Sequence, residues 1–313
     1  MLMLSRTAAA LYWLGRYVER ADFTARLVEA TVRLDALSAR PAGEAAWQSA
    51  LAVSYTEESF AATGQAVTQA NVARFLTLDN THPGSIVHCL DMARNNARAV
   101  RTALTREAWT AINRAWLMFQ NRASTGGSTA TLNLLEQVKG ETRGFEGAIH
   151  RMLRNEATLL IQLGAAVERA DNTARLLDVK YHILLPEGEP VGGAVDRDQW
   201  TTILQTVSAV TAYRWLYRDG LTPANVIDLL ISRFELPRSL AACVEEVVQL
   251  LSAVAKRTGL QGEADRMARA RLSRIQKTRT SDVIVSGLHE FLGAFIRENA
   301  LLDGAIARQF RFV

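Results

Sequence analysis

Apolar residues recur three and four positions apart along most of this chain, the period of a helix with one buried face. Residues 5–38 carry that pattern without a proline or a break. On a wheel of about 100° per residue, Leu11, Leu14, Val18, Ala21, Ala25 and Val28 fall in one stripe, which marks the core face. Residues 155–184 repeat the pattern and should stop before Pro186. "HPGS" at 82–85 and "LPRS" at 236–239 read as starts of later helices, with proline near the first turn and then a small hydroxyl residue. Strand-like alternation is scarce, and Ala, Leu, Arg and Glu favour helix. "STGGST" at 124–129 and "EGEPVGG" at 187–193 read as loops. The expected fold is all-α, a helical bundle.

The chain also repeats itself. Residues 14–27, "LGRYVERADFTARL", and residues 163–176, "LGAAVERADNTARL", agree at eleven of fourteen positions, at an offset of 149. Residues 71–89 align with 225–243 at an offset of 154, with Asn71 on Asn225, Pro83 on Pro237, Ser85 on Ser239 and Cys89 on Cys243. Two blocks in one order at nearly one offset point to an internal duplication. The glycines of "KGETRGFEG" at 139–147 suggest the junction, giving repeats of about 1–144 and 145–313. Neither long helix can bury its stripe alone. The copies should therefore pack as one domain, 1–313, about a pseudo-two-fold axis.

The repeated block holds the candidate chemistry. Gly15, Glu19, Asp22 and Arg26 lie in a narrow arc beside the apolar stripe, as do Gly164, Glu168, Asp171 and Arg175. Arg20 and Arg169 should point elsewhere, about 100° away from the glutamates. Asp22 and Arg26 form an i,i+4 pair with the acid first, the favourable order. One reading makes each ladder a polar lock between helices, with Gly15 allowing a close approach. A second has both ladders converge on one pocket, where crowded carboxylates shift pKa values and arginines bind an anion. A third makes them a docking surface. A di-iron site would want Glu-x-x-His, and Asp22 and Asp171 stand where histidine is needed, so no metal is expected; magnesium on carboxylates is the fallback. Asn95 and Arg98, in "CLDMARNNARAVR", either join a polar network or form a solvated helix face. The six tryptophans read as core or interface anchors, and the terminal "RQFRFV" either packs on the body or enters a partner.

Composition narrows the setting. Thirty-six basic against 32 acidic residues leave a net charge of +4, without the basic stripe that nucleic acid requires. Cys89 and Cys243 stand far apart with no metal-binding spacing, which suits a reducing cytoplasm. No signal peptide and no membrane span are expected. Self-association is left open.

"LGRYVERADFTARL", "HPGSIVHCLDMARNNAR" and "ERADNTARLLDVKYH" together resemble the bacterial alpha-E family over nearly the whole chain. Asn95 departs from the acidic residue expected there. The resemblance implies an all-helical accessory protein of a circularly permuted ATP-grasp ligase, often alongside a transglutaminase-like protease. That setting is ATP-dependent amide or peptide bond formation and its reversal. ATP and magnesium would enter through the ligase, with no cofactor of this chain's own. The motif residues carried over are Glu19, Arg20, Asp22 and Arg26, with Glu168, Arg169, Asp171 and Arg175. An accessory or binding subunit is the leading expectation. An enzyme acting on a small anionic or peptide-like substrate is the first alternative, and a structural scaffold the second.

Overall fold

A computed structural model describes residues 5–37, 42–120, 128–182, 192–218 and 220–312. The described residues form fifteen α-helices and no strand. The first seven are α1 (Ser5–Leu37), α2 (Ala42–Ser54), α3 (Glu57–Ala61), α4 (Gln69–Leu78), α5 (Ile86–Ala99), α6 (Arg106–Gln120) and α7 (Ser128–Arg151). After them come α8 (Glu156–His182), α9 (Ala194–Thr206), α10 (Val210–Leu216), α11 (Pro223–Ser232) and α12 (Leu240–Thr258). The chain closes with α13 (Glu263–Lys277), α14 (Thr280–Ser286) and α15 (Leu288–Gln309). None of these helices is long and apolar enough to cross a membrane.

The two long helices α1 and α8 are the spine. The whole predicted stripe of α1, from Leu11 to Val28, is buried. The helices run side by side in the same direction and touch at two glycines. A Cβ on Gly15 would overlap the Ile161 carbonyl oxygen, and one on Gly164 would overlap that of Tyr12. Only glycine permits this approach. Around the spine, α5 and α7 pack on α1, while α12 and α15 pack on α8.

Two apolar cores lie along the spine. One gathers Leu11, Tyr12 and Leu14 with Leu160, Leu163 and Val167. The other gathers Ala21, Phe23 and Val28 with Ala174, Leu177 and Trp47. Buried polar groups from residues 16–22 and 168–172 form a belt between them.

Matching local details recur at the expected offsets. Thr68 and Thr222 cap α4 and α11, accepting from the Asn71 and Asn225 amides. Ser85 and Ser239 cap α5 and α12. The Cys89 thiol donates to the Pro83 carbonyl at 3.6 Å, and the Cys243 thiol to that of Pro237 at 3.5 Å. Both cysteines are free and buried, and burial pushes each thiol up to about 12. Tyr55 and Ser208, in the turns after α2 and α9, share the left-handed conformation, with φ of 55° and 56°.

Three expectations need correction. The glycine cluster at 139–147 does not break the chain; it lies inside α7, and the turn comes at Met152–Asn155. A helical glycine costs about 1 kcal/mol relative to alanine, and the burial of Val138, Phe145 and Ile149 outweighs it. Pro83 and Pro237 sit in the turns two residues ahead of the serine caps, outside the first helical turn. Trp215 is no anchor and is 83% exposed, because the short α10 buries Tyr213 and so turns Trp215 outward. The predicted loops at 124–129 and 187–193 fall mostly outside the described residues. Of the two readings of the tail, packing on the body holds: the Phe312 ring lies 5.2 Å from that of Tyr12.

Candidate functional site

The belt is held by arginines reaching across the spine. Arg20 grips Glu168 through Nε at 2.6 Å and Nη2 at 3.0 Å, and Arg16 Nε adds a third bond at 2.7 Å. Reciprocally, Arg169 donates to Glu19 through Nε at 3.3 Å and Nη2 at 3.1 Å, and Arg238 Nη1 adds a bond at 2.5 Å. Arg20 and Arg169 therefore do not point away. They lie far from the glutamate on their own helix, which is the direction that meets the glutamate of the other. The pairs are charge-assisted and nearly dry, with Glu19 6% and Glu168 2% exposed. Burial opposes the charge on Glu168, but Arg20 and Arg16 outweigh it and hold the carboxyl down at about 2.

The two aspartates differ. Asp22 takes Arg26 Nε at 2.6 Å, Arg238 Nη2 at 3.0 Å and the Thr142 hydroxyl at 2.8 Å. Burial again opposes ionisation, and Arg238 and Arg26 overcome it, so its pKa lies below the usual carboxylate range. Asp171 takes Arg175 Nε at 2.6 Å, its one donor among the described residues. The Arg175 guanidinium in turn stacks 3.9 Å above the Tyr55 ring.

The ladders do not converge on one pocket. Crossing at the two glycines sends them to opposite sides of the spine, and each opens its own cleft. The Glu19 cleft, with Asp22, Arg169, Arg238 and Glu246 on its walls, holds only about 50 Å³. The Arg238 side chain enters it from the turn before α12 and bridges Glu19 to Asp22. Burial raises the pKa of Glu246 there. The Glu168 cleft, walled by Asp171, Arg20, Arg175, His82 and Gly84, holds about 330 Å³.

Arg238 marks the difference. The turns before α5 and α12 have the same hydrogen bonds: Ser85 N donates to His82 O at 3.0 Å, and Ser239 N to Leu236 O at 2.9 Å. Arg238 thus stands where the other turn has Gly84, and Leu236 where it has His82. His82 is 6% exposed and stacks on Phe75, yet neither ring nitrogen has a hydrogen-bond partner among the described residues. Asn172 is 7% exposed, lines the same cleft, and its amide nitrogen is likewise unpartnered. Buried polar atoms without partners are costly and rare in folded proteins. Both residues stand in the cleft wall, but these nitrogens are buried within it and do not face the open space.

The remaining sequence candidates lie elsewhere. Asn95 and Arg98 are exposed on α5 and outside both clefts; Asn95 bonds Asp91 within its own helix at 3.2 Å. They form the solvated face and join no network with the belt. No group of three or more His, Cys, Asp or Glu side chains among the described residues is placed to hold a metal ion. Arg16, Thr142, His82, Asn172 and Arg238 were not foreseen. A signal existed for Arg238, since aligning "HPGS" with "LPRS" puts an arginine opposite a glycine beside a repeated acidic motif.

No curated protein and no solved structure gives a significant match to this chain. A family model does, over residues 3–310: Alpha-E, described as a predicted alpha-helical domain with a conserved ER motif. Glu19-Arg20 and Glu168-Arg169 are two such dipeptides, and their side chains are the ones exchanged across the spine. The chain belongs to the Alpha-E family.

Proposed function

We propose that this chain is a duplicated, helical binding subunit. It works in the cytoplasm beside a circularly permuted ATP-grasp ligase, in ATP-dependent amide or peptide bond formation or peptide modification. The ligase, and a transglutaminase-like protease as a second partner, come from what the family resemblance implies. ATP and magnesium belong to the ligase in this reading.

The observation that carries a binding role is the Glu168 cleft. Its central carboxylate is already committed to Arg20 and Arg16 and is held ionised by them. A group with a pKa of about 2 and its oxygens taken is a poor general acid or base near neutral pH. The cleft beside it nevertheless stays open, with Asp171 on its wall holding acceptor capacity beyond its bond from Arg175. That combination suits holding a small or peptide-like ligand better than turning it over. The scaffold reading draws on the cross-paired belt itself, since such a network specifies one packing of two helices.

A native pull-down of the tagged chain from its own host separates these readings. Wild type and Asp171→Asn are compared, with the thermal midpoint as a control for folding. A ligase recovered with both proteins supports the subunit reading and leaves the cleft free for a ligand. Failure to recover a ligase with either one removes that reading.

A further inference from the structure

We propose that the second copy carries a docking surface for an acidic, amphipathic segment of a partner protein, formed by Trp215, Leu216 and Phe234 and flanked by Arg214 and Arg218. This gives the subunit reading above a place of contact and rests on that reading. Nine large apolar side chains are exposed among the described residues, and five of them, Trp215, Leu216, Phe234, Ile284 and Val285, stand around one corner. Asp228 ties that corner together, accepting from Tyr217 Oη at 2.5 Å, Arg233 Nε at 2.8 Å and Thr280 Oγ1 at 2.9 Å. Trp215 and Leu216 directly precede Tyr217, Phe234 follows Arg233, and Ile284 and Val285 lie about one turn beyond Thr280 in α14. Single exposed apolar residues are ordinary, whereas a gathering of them marks a contact surface.

The first copy shows that the fold does not need these side chains. Helices α3 and α10 follow the two turns in which Tyr55 and Ser208 take the left-handed conformation. Each short helix buries one aromatic ring, Phe60 in α3 and Tyr213 in α10. In that register, an offset of 153, residues 214–218, "RWLYR", stand over residues 61–65, "AATGQ". Trp215 thus matches Ala62, and Leu216 matches Thr63. Phe234 matches Asn80, at the offset of 154 that aligns Asn225 with Asn71. All six positions are exposed. One copy presents small or polar residues to water there, and the other presents an indole that is 83% exposed. Apolar area left in water contributes nothing to the stability of the chain, so only a partner can draw on it.

The charges choose the occupant. Arg214 and Arg218 bracket the apolar residues in the chain, and neither has an ion pair or a hydrogen bond among the described residues. Their guanidinium forks are free to take carboxylates. Tryptophan and arginine together are the side chains that carry most of the energy in protein interfaces. A second copy of this chain suits the corner less well. A two-fold contact there would bring Arg214 and Arg218 of both molecules together, like charge against like. A membrane surface also suits it less well, because Glu235 and Asp282 offset most of Arg214, Arg218 and Arg279. A basic excess is what draws a protein to anionic lipid.

Calorimetric titration of the full chain tests this with a peptide of Glu-Leu-Leu-Glu repeats, and with Lys-Leu-Leu-Lys repeats as the charge control. The wild type is expected to bind the acidic peptide about tenfold or more tighter than the basic one. The triple variant Arg214→Ala/Trp215→Ala/Leu216→Thr copies residues 61–63 of the first copy. Its three side chains are exposed, so the thermal midpoint should hold while affinity for the acidic peptide falls by about tenfold or more. Arg214→Glu/Arg218→Glu should reverse the preference toward the basic peptide. Absence of binding to the wild type, equal binding of the two peptides, or unchanged affinity in the triple variant overturns the inference. A wild-type dimer in sedimentation that the triple variant loses would overturn it in favour of a second copy. Co-sedimentation with phosphatidylserine vesicles that the triple variant loses would overturn it in favour of a membrane surface. The titrations contain no ligase, so their failure is read separately from a failed pull-down.

Discussion

Glu19 and Glu168 sit at matching places in two copies of one motif, and each is clamped by two arginines. The clamps are not copies. Glu19 takes one arginine from the facing helix and one from a turn 219 residues away. Glu168 takes both from α1, because Arg16 stands where α8 has Ala165. Both carboxylates are thus neutralised, but the second solution leaves the turn before α5 without a side chain in the cleft. The burial of the charged pair is kept while the space beside it is released. A structural requirement and an open cavity have been separated by moving one arginine.

The sharpest way to break this comparison is to remove each carboxylate. Glu168→Ala and Glu19→Ala each strand buried guanidinium groups, and each is expected to cost about 3–5 kcal/mol in denaturant unfolding. A cost below about 1 kcal/mol for either would show that its clamp is no structural equivalent of the other.

Acid titration gives the next largest effect. The Glu168 carboxyl lies at about 2 in the fold against an ordinary 4.5. A depressed pKa means stability that is fully present above about pH 4.5 and is lost as the pH falls toward 2. The difference is worth about 3 kcal/mol at 1.36 kcal/mol per pH unit. Asp22 contributes with the same sign. The raised pKa of Glu246 works oppositely, favouring the fold slightly as it takes up its proton. Unfolding midpoints between pH 6 and 2.5 should fall steeply for the wild type and less for Glu168→Gln. Equal slopes in the two proteins would remove the assignment.

The smallest expected effect concerns the crossing point. Gly164→Ala and Gly15→Ala each push one methyl against a backbone carbonyl of the other helix. Each should cost about 1–3 kcal/mol, as overpacking does. Thermal midpoints that drop by similar amounts would show the two contacts to be reciprocal; a marked inequality would show that the spine yields on one side.

Much of this was legible in the sequence. The span of α1 followed from an unbroken apolar stripe, and α8 from its repeat. The Asp22–Arg26 and Asp171–Arg175 pairs followed from i,i+4 spacing, and the close approach at Gly15 from its place beside the stripe. What failed was whatever depended on a second helix. A wheel describes one helix at a time, so it sent Arg20 and Arg169 away from the acids that in fact receive them. It also merged two clefts into one, because it carries no crossing geometry. His82 could not be recognised as unpartnered, since partnership is a property of what packs around a ring. Arg238 lies outside the motif altogether, in a turn whose sequence gave no periodicity to read.

The contact of Gly15 with Ile161, and of Gly164 with Tyr12, bears on how the chain reaches this fold. The first long helix must wait for a partner almost 150 residues later before its glycine face, Arg16 and Arg20 find their places. At ordinary synthesis rates that wait is roughly ten to thirty seconds. During it the emerging N-terminal half exposes an apolar stripe, and Arg16 and Arg20 lack their acceptor Glu168. The spine is thus a non-local contact in a helical protein, so its assembly should depend on chain completion more than helix content suggests.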